Sequence, residues 1–135
     1  MYKNILVPIA FDETRDSDGA VAVAKALADK GARITLLHVM EFVPAYAITY
    51  LPTDYLESSR KAIAVSLQEQ AAKIENGVGV LVEGHSGKTI LEWADENAAD
   101  CIVIASHRPG AADLILGSTA ARVVRHAKCA VHVVR

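Results

Sequence analysis

The sequence predicts an α/β fold built on a parallel sheet. Three observations carry that prediction. Short apolar runs alternate with segments of helical periodicity along the whole chain. Apolar residues make up 52% of the chain but aromatics only 5%, so the core is mainly Val, Ile, Leu and Ala, as in sheets buried on both faces. Internal repeats and low-complexity segments are absent, and 135 residues fit one domain, residues 1–135, with one sizeable core.

The elements follow in order. "NILVPIA" is a bounded apolar run and reads as a first strand over about residues 3–9. In the segment after it Val21, Ala24, Leu27 and Ala28 recur at helical spacing, with Gly31 as the stop. "ARITLLHVM" is the second strand. The irregular stretch of residues 40–53 carries Pro44 and Pro52, which rule out a regular helix past them, with Tyr46, Tyr50 and Tyr55 around the two prolines. A connection of that length suggests a lid or a contact surface. Thr53 is placed to cap a long helix reaching about Glu75. "GVGVLVE" is the third strand. The helix after it places Ile90, Leu91, Ala94 and Ala98 on one stripe. "CIVIA" is the fourth strand, and "CAVHVV" is the fifth. Between them a loop leads to a helix with Ala120, Val123, Val124 and Ala127 on one face.

Composition narrows the function. A formal net charge of −2, with no long Lys/Arg block, argues against nucleic acid as a partner. Cys101 and Cys129 form no CxxC, so neither a zinc knuckle nor a redox dithiol is signalled, and both are expected to be reduced thiols of a cytoplasmic protein. "MYKNILVPIA" lacks a signal-peptide layout, and no apolar run approaches membrane length. His38, His85, His107, His126 and His132 have no metal-ligand spacing; His38 and His132 read as strand residues with satisfied hydrogen bonds. No Gly-x-Ser-x-Gly elbow occurs, no catalytic residue is assigned, and any ATP hydrolysis should be slow.

"GHSGKT", residues 84–89, resembles a phosphate loop but fails on spacing. A P-loop needs a glycine at position 82, which is Val82. The stretch reads instead as a strand-to-helix turn, with Gly84 supplying an unusual backbone angle and Ser86 the helix cap. A stronger anion site lies in "ASHRPGAADLILGST". Gly117, Ser118 and Thr119 open the last helix, where free N–H groups, a hydroxyl and the helix dipole favour an anion. Arg108 could reach that anion with a bidentate fork.

With these residues on view, the chain resembles the universal stress protein family along essentially its whole length. "YKNILVPIAFD", "ITLLHVM", "EGHSGKTILEWADENAADCIVIASHR" and "LGSTAARVVRHAKCAVHVVR" carry the likeness. "ASHRP" with "LGS" and "VVRHA" is similar to the F/G-type branch of small bacterial members.

The resemblance implies a five-stranded parallel sheet in order 3-2-1-4-5 with two helices on each face, a Rossmann-like, adenine nucleotide alpha hydrolase-like fold. Its strand order reverses between strands 1 and 4, where open sheets bind ligands. The site implied comprises Pro8, Ile9 and Ala10 along base and sugar, Val39 with its backbone toward adenine, and Ala105, Ser106, His107, Arg108, Gly117, Ser118 and Thr119 around the phosphates. Two departures from the pattern stand out. Ala105 and Arg108 replace the leading glycines of the family's nucleotide motif, with a loop one residue shorter. Ala10 stands where many members carry an acid near the ribose, and Asp12 is two residues further on. Phosphate recognition is therefore better supported than ribose recognition.

The function implied is that of a cytoplasmic stress-response protein binding ATP, or AMP or ADP, with Mg²⁺ on the phosphates as an option. The family likeness also implies a homodimer through residues 129–134, which could double to a tetramer, and no membrane partner. The alternative is a dimeric interaction protein of the same fold that has lost nucleotide binding. A flavodoxin-like FMN carrier fits poorly, because the first strand is not followed by a Ser/Thr-rich phosphate loop.

Overall fold

The computed structural model describes residues 1–11, 17–106 and 116–135. Its elements run β1 (Tyr2–Pro8), α1 (Ser17–Leu27), β2 (Ala28–Met40), α2 (Ala45–Ile48), α3 (Tyr55–Ala72), β3 (Gly77–Glu83), α4 (Ser86–Glu96), β4 (Cys101–Ala105), α5 (Ser118–His126) and β5 (Ala130–Val134). The strands form one sheet in the order β3-β2-β1-β4-β5, all pairs parallel, as expected.

Side chains alternate across the sheet, as strand geometry requires. Ile5 and Val7 of β1, Ile34 and Leu36 of β2, and Cys101 and Val103 of β4 pack with Ala20 and Ala24 of α1 and with Leu67 and Ala71 of α3. Leu6, Leu37, Ile102 and Ile104 face the other way, onto Ile90 and Ala94 of α4 and Ala120 and Val123 of α5. The central strand is buried on both faces, which is why its sequence is a continuous apolar run.

Several boundaries differ from the sequence reading. α1 stops at Leu27, because Ala28 already pairs with Tyr2 in an irregular start to β2. Gly31, at φ +79°, is a turn residue inside that stretch rather than the helix stop. The amino terminus of the chain donates to the Leu27 carbonyl at 3.1 Å. α3 begins at Tyr55 after Asp54, not after a Thr53 cap, and ends at Ala72, short of Glu75. In α4 the stripe of Ile90, Leu91 and Ala94 holds, but Ala98 lies beyond the helix, exposed, at φ +54°. Val124 of α5 turns toward solvent while Ala120 and Val123 are buried. The stretch of residues 40–53 contains one short helix, α2, beginning just after Pro44, and Phe42, Tyr46, Ile48 and Tyr50 in it are exposed.

At the amino end of the sheet Asp100 joins β1 to β4. Its carboxylate accepts from Lys3 N–H at 2.8 Å and Asn4 N–H at 3.0 Å. Its own N–H donates to the Asn4 carbonyl at 2.9 Å. The Asn4 amide in turn donates to the carbonyls of Asn97 and Ala98, at the end of α4.

Candidate functional site

Three strands leave their carboxyl ends open together. β1 ends at Pro8, β2 at Met40 and β4 at Ala105. The order reverses between β1 and β4, since their connections leave in opposite directions across the sheet. A cleft of about 530 Å³ lies there. Its floor is Pro8, Ile9 and Ala10 after β1, Leu37, His38 and Val39 of β2, and Ile104 and Ala105 of β4. Ile63 of α3 borders it, as do Ser86 and Ile90 of α4 and Ser118 and Thr119 of α5.

Two helices open into this cleft. α5 starts at Ser118 after Gly117, and no side chain caps its first turn. Gly117 N–H donates instead to the Ser106 hydroxyl at 3.4 Å, so the buried end of β4 steadies the turn. The leading amides of a helix have no intrahelical acceptor, and with two hydroxyls beside them they suit an anion. α4 starts at Ser86 after His85, again without a side-chain cap.

His38 is held in place. Its Nδ1 lies 2.6 Å from the Ile9 carbonyl. A carbonyl can only accept, so Nδ1 carries the proton and, in the neutral ring, Nε2 is an acceptor. The Phe11 ring meets the imidazole edge-on, with centroids 4.9 Å apart at 81°.

Of the residues the sequence assigned to the site, Pro8, Ile9, Ala10, Val39, Ala105, Ser118 and Thr119 line the cleft. Ser106 and Gly117 support its wall. His107 and Arg108 lie outside the described residues, as does Asp12.

The reading of "GHSGKT" needs a correction. Gly84 does take an unusual angle, φ +150°, and a Cβ there would meet Thr89 Oγ1 at 2.3 Å. Ser86, however, is the first helical residue and not the cap. It also reaches the cleft, although β3 is an edge strand, because α4 runs over β2 rather than over β3 alone. Its hydroxyl donates to Glu41 Oε1 at 3.1 Å. Phe11, His38, Glu41 and Ser86 are thus cleft residues that the sequence reading missed. The available signal was the place of each just after, or at the end of, a strand whose carboxyl end faces the site.

Neither cysteine belongs to this chemistry. Burial, with Cys129 and Asp100 adding to it, pushes the Cys101 thiol up to about 11. Burial raises Cys129 as well. Raised thiols stay protonated at neutral pH and are poor nucleophiles, and neither lines the cleft.

The comparison with known proteins decides the family. The universal stress protein family model matches residues 1–135. This chain belongs to the universal stress protein family. A universal stress protein of Thermus aquaticus, described by its place in the 3′ region of a QAH/OAS sulfhydrylase, is 34% identical over 143 residues, with all of both chains covered. Universal stress protein G of Escherichia coli O157:H7 is 31% identical over 142 residues, again end to end, which supports placing this chain with the small F/G-type members. Among solved structures, a universal stress protein in complex with cAMP superposes with a TM-score of 0.64 at 26% identity, covering 99% of this chain and 97% of that one. The universal stress proteins thus share this sheet and its helices.

Proposed function

We propose that this universal stress protein binds an adenine nucleotide in the cleft over β2, β1 and β4, and holds it with little or no hydrolysis. One observation carries the reading: the cleft at the strand-order reversal receives the uncapped start of α5, with Ser118 and Thr119 on its lining. A relative solved with cAMP supports the ligand class. ATP is the first candidate, with AMP or ADP as related ligands and Mg²⁺ riding on the phosphates. Ser118, Thr119 and the α5 amides would take phosphate, Arg108 would add charge, and Val39 would border the base. Ala10 leaves the sugar without a carboxylate at its family position.

Stress response in the cytoplasm is the setting this reading implies. No helix among the described residues is long and apolar enough to cross a membrane. Two copies would pair through residues 129–134. A second reading, a dimeric interaction protein without nucleotide, is favoured by Ala10 and by the missing glycines at Ala105 and Arg108.

Mass spectrometry of small molecules released from the purified, denatured protein tests the first reading, followed by calorimetric titration of ATP and AMP with and without Mg²⁺. Bound adenine nucleotide or saturable heat is expected. No nucleotide and no heat at millimolar ligand would leave the interaction protein standing. Arg108→Ala should weaken binding by about 1.5–3 kcal/mol, and unchanged affinity removes Arg108 from the site.

A further inference from the structure

We infer that Glu41 is the residue that selects the base, by accepting a hydrogen bond from an exocyclic amine. The inference rests on the nucleotide reading and concerns the end of the cleft away from α5. Glu41 follows β2 directly and lines the cleft. The turn around it is fixed by Gly84 N–H donating to the Met40 carbonyl at 3.1 Å. One carboxylate oxygen, Oε1, accepts from the Ser86 hydroxyl. Among the described residues no ion pair engages Glu41, and no Lys or Arg lines the cleft.

Charge sets the direction of the ligand. A phosphate beside an unpaired carboxylate is repelled, while the start of α5 attracts it. β2 and β4 are two strand spacings apart in the sheet, about 10 Å. Phosphate at Ser118, sugar over Ile9 and Ala10, and base toward Glu41 therefore fill the cleft in sequence. An ionised carboxylate can only accept hydrogen bonds. Beside it, the leading amides of α4 supply donors, the Ser86 hydroxyl being already given to Glu41. Adenine offers the complement, an amine donor next to a ring-nitrogen acceptor. Hypoxanthine, held in the same pose, places a carbonyl oxygen where the amine stood and a ring N–H where the acceptor stood, so lone pair meets lone pair at Glu41 and donor meets donor at the α4 amides. Glu41 is exposed, so the discrimination is the charge-assisted hydrogen bond gained with the amine against the repulsion between the carboxylate and a carbonyl oxygen.

The test is calorimetric titration of AMP and inosine monophosphate against the full chain and against Glu41→Gln. An amide can donate as well as accept, so Gln tolerates either base. The unmodified protein is expected to favour AMP by at least about tenfold, and Glu41→Gln to bring that ratio to within about threefold while keeping inosine monophosphate binding. Glu41→Ala, whose exposed site tolerates truncation, should also flatten the ratio. Equal affinity for the two nucleotides in the unmodified protein, or a preference that survives both substitutions, overturns the role of Glu41 and leaves the nucleotide reading intact. Binding of neither nucleotide overturns the nucleotide reading itself, and this inference with it.

Discussion

Asp100 shows how much one side chain carries. Its carboxylate is the acceptor for two successive backbone N–H groups of β1, at 2.8 and 3.0 Å. Asp100→Ala leaves both donors without it and should cost about 2–3 kcal/mol in urea unfolding. Asp100→Asn keeps an acceptor and should cost less. An unchanged midpoint for Asp100→Ala would mean water replaces the carboxylate fully. At this scale the sequence was uneven as a guide. Ser118 and Thr119 were legible because a glycine and two hydroxyls at a helix start carry their own chemistry. Glu41 and Ser86 were not, because they lie 45 positions apart and meet only once α4 has crossed over β2. His38 was correctly read as satisfied, yet its place on the cleft floor depends on where the neighbouring strand ends.

Elements were more legible than residues. Strands β3 and β4 fall where their apolar runs fall, since each is a short run bounded by polar or turn residues, whether at the edge like β3 or fully buried like β4. Helix ends were harder, because side-chain caps were expected at Thr53 and Ser86 and none is made at either helix. The pairing of Ala28 with Tyr2 is a tertiary event that no helical periodicity reports. Packing between α3 and β3 is close enough to test. A Cβ on Gly79 would stand 2.9 Å from the Leu67 carbonyl group, which is helix backbone and cannot swing aside. Gly79→Ala should therefore push α3 outward and lose about 1–3 kcal/mol, read as a lower denaturation midpoint. Full retention of stability would show that α3 shifts freely.

At the scale of the molecule, β5 is an edge strand with Val131, Val133 and Val134 only half-buried. Edges of that kind invite pairing. Light scattering at micromolar concentration should give twice the 14.4 kDa chain mass. His132→Pro, at an exposed edge position, should return the mass to that of one chain while the circular dichroism is kept. A monomer mass for the unmodified chain would remove the edge from consideration.

The Asp100 junction sits at the amino end of β4 and the cleft at its carboxyl end, with five residues between them, about 17 Å of extended chain. Changes that far apart, sharing no partner, combine additively. The fold therefore divides into an anchor and a reading end that answer to different pressures. Robustness can be raised or lowered at the anchor, by exchanges around Asn4 and Asp100, without retuning what the other end recognises. If the proposed base selection holds, recognition would drift at Glu41 and Ser86 without endangering the chain's ability to fold.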